Sequence, residues 1–248
     1  MKSFFSLFPL FLFFLLTSCV VTDDDEATPM PEPEPEPRTL STGLVFNAPF
    51  NGNADDVSTT GLTGTVTGAT ITMDRTGAAN GAYRFDGVDD YINFGNETSL
   101  AFSGRQAYTI ASWVKPEQRS DDSRMHIISK FDGGVRATWY LGVGKDGTVD
   151  SYRNVAPWAT FGVGTFPWNE YVHVATTYDG TDLVVYINGV EDNRTPFGGN
   201  PNDNVTDIIV GGVHSRGAVV PNFKGIVDEV RIYNRVLTQE ELTWLANN

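Results

Sequence analysis

The chain is poor in the side chains that most often carry out chemistry. Its 248 residues include one cysteine and three histidines. A lone cysteine, Cys19, excludes an internal disulfide. His126, His173 and His214 lie in unrelated stretches and form no constellation. His173 and His126 belong to apolar strand patterns and read as structural, while His214 falls in the loop-like "GGVHSRGAVVPN". Positive charge is scarce as well, with 17 Lys and Arg against 31 Asp and Glu, for a net charge of −14. Nucleic-acid binding needs a basic surface and is excluded. No glycine-rich phosphate loop follows a strand. No apolar run reaches the roughly 20 residues that span a bilayer as a helix.

The longest apolar run, Phe4 to Leu16, follows Lys2 and precedes small residues, as in the core of a signal peptide. Leu16-Thr17-Ser18-Cys19 resembles the lipobox of bacterial lipoproteins, which implies cleavage after residue 18 and acylation of Cys19. The alternative is an incidental thiol in a leader. "VVTDDDEATPMPEPEPEPR" follows. Its early acids resemble the signal that sends Bacteroidetes-type lipoproteins to the outer face of the outer membrane. The Pro-Glu repeat has nothing apolar to bury and stays extended. At roughly 3.1 Å per residue it makes a stalk of ~60 Å. The expected organisation is a leader over 1–18, a stalk over 19–39 and a domain over 40–248, touching membrane only through its lipid.

Glycine is abundant (25 residues) and aromatics reach 12%. Apolar and polar residues alternate with period two through "QAYTIASWVKP" and many shorter runs, the pattern of half-buried strands. "YVHVATTYDGTDLVVYINGV" reads as strand, Asp179-Gly180 turn, strand, Asn188-Gly189 turn. "GKDGTV" supplies a further turn, and "GVEDNR" reads as a turn carrying adjacent acids. One helix is expected, at "LTQEELTWLANN", with Thr238 and Glu241 as a capping box and Leu237 and Leu242 as a hydrophobic staple. Short strands at regular spacing predict an all-β, two-sheet antiparallel sandwich with one short C-terminal helix.

"AYRFDGVDDYINFG", "YTIASWVKP", "HIISK", "WYLGVGKDGTV", "WNEYVHVATTYDGTDLVVYINGV" and "FKGIVDEVRIYNRVLTQEEL" resemble, in order, the blocks of laminin-G-like, concanavalin A-like jelly-roll domains. The likeness runs from about residue 43 to 245. It implies fold rather than function, because this sandwich hosts lectins, adhesion modules and glycosidases. It also implies a structural Ca²⁺ between the loop after the first strand and a strand near the C-terminus, at positions matching Asp56 and Asp228. Asn53 and loop carbonyls would complete an oxygen shell. Asp55 is an alternative to Asp56. "FNGNADDVS" also reads simply as a turn, its short polar side chains bonding their own backbone. Asp228, set among Ile226, Val227, Val230 and Ile232, needs a partner for its charge. That partner is the ion, backbone amides, Arg231 or Arg84.

Glucanases of this fold carry Glu-x-Asp-x-Glu on one strand. That run is missing here, and alternation in "VDEVR" sets Asp228 and Glu229 on opposite faces. A non-catalytic module is therefore expected. Its ligand residues would be exposed aromatics and polar loop groups. Trp158, in "RNVAPWATFGVGTF" between strands, is the leading aromatic, although a buried loop anchor is an equal reading. Trp139 is intermediate. Arg136, Arg153, His214 and Arg216 are candidates for the rim, or ordinary solvated charges. The expected partner is a neutral glycan or glycoprotein at a bacterial surface. A protein-binding adhesion module is the alternative, and a glycoside hydrolase or polysaccharide lyase with an unfamiliar site the third.

Overall fold

A computed structural model describes residues 38–121, 123–133, 136–199 and 205–248. The leader, Cys19 and the stalk up to residue 37 lie outside the described residues. The chain divides into two units, Met1–Pro33 and Glu34–Asn248, and all described residues belong to the second. The 3-10 turn Arg38–Ser41 already belongs to the folded domain, because the Thr39 carbonyl accepts from Thr42 N and from Arg235 Nη2. Its start therefore precedes the expected residue 40.

The expected two-sheet antiparallel sandwich forms. The eight-stranded sheet runs, in lateral order, Val190–Pro196, Asp182–Ile187, Val172–Tyr178, Tyr108–Pro116, Lys224–Tyr233, Ala82–Asp86 and Thr70–Thr72, with Leu44–Ala48 also on Lys224–Tyr233. The nine-stranded sheet runs Ala159–Phe161, Val149–Arg153, Arg136–Val143, Met125–Gly133, Ile209–Val210, Tyr91–Asn93 and Thr65–Thr67. The hairpin Gly212–Ser215/Ala218–Pro221 is added at the end of Met125–Gly133. Two stretches read from sequence as turn or loop are thus strands. "GVEDNR" pairs with Asp182–Ile187, and "GGVHSRGAVVPN" folds into a hairpin turned at Arg216-Gly217, with φ of 54° and 84°.

Alternation decides which side chains meet between the sheets. Tyr108, Ile110 and Val114 enter the central core with Phe46, Phe85, Trp139, Leu141, Val174, Val185 and Val230. From the other face of the eight-stranded sheet, Ala111, Ala175, Val184 and Tyr186 form a second cluster with Leu237, just before the C-terminal helix, and with Leu242 and Leu245 on it. That helix, Gln239–Leu245, carries the expected capping box, Thr238 accepting from Glu241 N and Glu241 from Thr238 N. Asn188 and Gly189 both take positive φ (49° and 75°), as a tight hairpin turn requires. One sheet therefore has its outer face covered by the helix. The aromatic residues on the outer face of the other belong to neither cluster.

Candidate ligand-binding site

Trp139, Leu141 and Val143 are fully buried between the sheets, so alternation turns Tyr140 outward on the nine-stranded sheet. Tyr152 lies directly opposite Tyr140 in register. Their rings stack, with centroids 5.5 Å apart and planes 14° from parallel. Phe131 meets Tyr140 edge-on at 5.5 Å and Tyr152 at 5.0 Å. The His126 ring meets Tyr140 edge-on at 4.6 Å. Tyr140 is the buried floor of this group (3% exposed), and Tyr152, Phe131 and His126 are half-buried around it. Edge-to-face and offset contacts of this kind are the favoured aromatic geometries.

A charged pair borders the rings. The Arg124 guanidinium lies 5.9 Å from the Tyr140 centroid and 5.1 Å from that of Phe161, which is 49% exposed on the sheet's edge strand. Arg124 Nε donates to the buried Asp150 carboxylate. Burial raises the Asp150 pKa, with Arg124 opposing the shift. Arg124, Asp150 and Phe161, with Lys145, Asp146 and Thr148, line a cavity of about 460 Å³. A larger hollow of about 650 Å³, lined by Thr98, Ser99, Phe102, Ser103, Gln106, Ala107 and Asn234, has a single ring, Phe102, which is buried against Tyr108. It has no ring to offer a ligand.

His126 is held as a neutral imidazole. Burial lowers its pKa from 6.5 to about 4. Asn222 Oδ1 accepts from His126 N, so Asn222 Nδ2 donates to His126 Nδ1, leaving the ring proton on Nε2. His173 is also buried and lowered, to about 3, against Trp113 of the neighbouring strand. Neither is placed as a general acid or base at neutral pH.

The rim residues expected from sequence divide. Trp139 is a core side chain whose Nε1 donates to Leu100 O at 2.7 Å, so it offers no face to a ligand. Arg153 is fully buried, its guanidinium 5.3 Å from both Tyr108 and Tyr178 and donating to the Ala101, Phe102 and Gly104 carbonyls. Both sit on the inner side because the strand alternation that turns Tyr140 and Tyr152 out turns their neighbours in. Trp158 is 52% exposed, at φ 81°, immediately before the edge strand that carries Phe161. Arg136, His214 and Arg216 come together in register around Asp132: Arg136 and His214 are its cross-strand neighbours, and Arg216 N donates to its Oδ1 at 2.7 Å. His214 is half-buried with Nε2 3.9 Å from Asp207, and Arg216 is exposed. Sequence reading missed Arg124, Phe131, Tyr140, Asp150, Tyr152 and Phe161. The usable signal was "TWYLGV": with Trp139 inward, Tyr140 has to face out.

The residues matched to a calcium site keep separate company. Asp56 is buried and accepts from Asn47 N and Ser58 N at 2.8 Å, from Leu62 N, and from Thr60 Oγ1. Exposed Asn53 accepts from Asp55 N. Those bonds are the turn chemistry of the loop. Asp228 instead pairs with Arg75, Nη1 to Oδ2 at 3.0 Å, while Arg84 pairs with Glu117. The side chains of Asp56 and Asp228 share no partner among the described residues, and as arranged they do not fit one oxygen shell. Glu229 also departs from its expected place. A β-bulge interrupts the register between Asp228 and Arg231, with Glu229 at φ 48°. The extra residue lets Glu229 reach Arg75 from the same side as Asp228, at 2.9 Å. Elsewhere Asp86, Asp89 and Asp90 bring carboxylate oxygens within 4.8 Å of one another, but Asp86 and Asp90 accept backbone amides of their own turn.

The Laminin_G_3 family matches residues 85–243, and the chain belongs to this concanavalin A-like lectin/glucanases superfamily. Two solved structures share the sandwich. The binding domain of Paraclostridial Mosquitocidal Protein 1 is 20% identical with a TM-score of 0.68, over 84% of this chain and 52% of that one. Domain 4 of AbnA, an extracellular GH43 arabinanase of Geobacillus stearothermophilus solved with arabinotriose, is 26% identical with a TM-score of 0.62, over 82% of this chain and 98% of that domain. Human usherin is 28% identical over 144 residues, covering 55% of this chain but 3% of usherin.

Proposed function

We propose that this domain is a non-catalytic glycan-binding module whose ligand lies on the outer face of the nine-stranded sheet. The observation that carries the proposal is the half-open cluster of Phe131, Tyr140, Tyr152 and Phe161 around the Arg124–Asp150 pair. Ring faces stack on sugars, and a fixed ion pair offers both a donor and an acceptor to hydroxyls. The likeness to domain 4 of AbnA, which binds arabinotriose in its solved structure, supports a sugar as ligand. Two cations, Arg124 and Lys145, line the cavity with two acids, Asp146 and Asp150, and this mixed lining favours a neutral glycan over an acidic one. The same proposal sets the domain at a bacterial surface, on a lipid at Cys19 and an acidic stalk.

Phe161→Ala is expected to weaken glycan binding by a factor of about two to ten, because stacking on one ring contributes about 0.5–1.5 kcal/mol. Tyr152→Ala should act in the same direction. A glycan array followed by calorimetry with the soluble protein checks this. Unchanged affinity in both variants, with melting behaviour intact, would move the site elsewhere. Absence of any glycan signal, with one defined protein partner recovered instead, would favour the adhesion reading, and released product from a polysaccharide would establish an enzyme.

A further inference from the structure

On the outer face of the eight-stranded sheet, His173, Trp113 and Asp228 lie side by side in register across three strands. Arg75, from the loop between Thr70–Thr72 and Ala82–Asp86, packs over this row with its guanidinium 5.1 Å from the Trp113 ring. Its Nη1 contacts Asp228 at 3.0 Å and Glu229 at 2.9 Å, and Nη2 donates to the Asn248 carbonyl. The side chains of Arg75 and Asp228 are 12% and 2% exposed. Trp113 Nε1 in turn donates to Leu245 O, which ties the row to the C-terminal helix.

This group already has its cations. The carboxyl groups of Asp228 and Glu229 face two guanidiniums, Arg75 and Arg231, the latter 3.3 Å from Glu229. Of the neighbouring titratable groups, Asp74 is turned into its own loop, accepting from Thr76 N and Ala78 N. Tyr171 donates to Met73 O, and burial keeps His173 neutral. A divalent cation at Asp228 would have to displace the Arg75 guanidinium, which already contacts its Oδ2 and is itself sheltered. Removing one partner of a sheltered pair leaves an uncompensated charge, which is strongly destabilising.

We infer that Arg75 is the resident cation of this domain: its guanidinium holds the last strand and the adjoining loop together where the family resemblance implies Ca²⁺, and no divalent cation binds Asp228. Arg75 is thus a structural determinant outside the ligand face. The test is thermal unfolding of the full chain with chelator and with millimolar calcium. The wild-type midpoint is expected to be the same in both. Arg75→Gln should lower it by about 5 °C or more. Adding Asp228→Asn to Arg75→Gln should recover much of that loss, since the uncompensated buried carboxyl is then gone while Glu229 keeps its Arg231 partner. If Arg75→Gln alone does not fold, recovery of a folded double variant carries the same information. A calcium-dependent rise in the wild-type midpoint that Asp228→Asn abolishes would overturn the inference. So would an unchanged midpoint in Arg75→Gln, or a double variant no better than the single one.

Discussion

At the scale of single residues, burial sets the protonation of the two sheet histidines, and the consequence is a pH dependence. His126 and His173 titrate at about 4 and about 3 in the folded chain, against 6.5 when unfolded. Between those values the unfolded chain binds more protons, so stability falls as pH drops below 6.5. Asp228 works the other way. Burial, with the Glu229 charge adding to it, raises its pKa from 3.8 to about 7, so the folded chain takes up a proton first and gains stability over the same interval. Asp150, whose pKa burial also raises, acts in the same direction as Asp228, and the two large histidine shifts are expected to outweigh both. Urea midpoints are therefore expected to be lower at pH 5 than at pH 7, and His126→Gln should shrink the difference. A wild-type midpoint that rises on acidification would contradict this balance.

At the scale of elements, local chemistry and long-range packing reinforce one another in the C-terminal helix. Its seven residues are too few to hold as an isolated helix. The Thr238–Glu241 box satisfies its first amides, Arg235 clamps Glu241 at 2.7 Å, and Leu237, Leu242 and Leu245 close over the sheet. Thr238→Ala should cost about 1 kcal/mol in chemical denaturation. The effect should be confined to stability, leaving glycan affinity unchanged, because the helix lies on the sheet opposite the aromatic face. The bulge at Glu229 is a second element-scale device. A regular strand would have pointed Glu229 away from Arg75, and one extra residue reversed that.

At the scale of the whole molecule, the sandwich divides labour between its outer faces. One is closed by the helix and the Arg75 group. The other carries half-exposed rings beside a polar cavity. The proposed anchoring would present the domain on an extended stalk, which suits capture of a polymer. Cys19→Ala should yield an unprocessed precursor that incorporates no labelled palmitate. Normal labelling of that variant would refute the lipid anchor.

Alternation and turn chemistry were enough to read the all-β sandwich, the hairpins at Asp179-Gly180 and Asn188-Gly189, and the capped helix. These are local properties, written in spacings of two to four residues. The short strands Thr65–Thr67 and Thr70–Thr72 escaped notice, since three residues carry too little periodicity and these are largely exposed. The proposed ligand face escaped for a different reason. Trp139 and Arg153 were conspicuous as residue types, but which side of a strand faces the core depends on the partner sheet. Once Trp139 is inside, Tyr140 and Tyr152 are outside, and Arg124 and Phe161 reach them from other strands. Likewise the partner of Asp228 lies 153 residues away in sequence. Local spacing is sufficient to mark which segments become strands and to require a partner for Asp228. That the partner is Arg75, and that the rings gather on one face, follows from the packed fold, because both depend on contacts between segments with no local spacing in common.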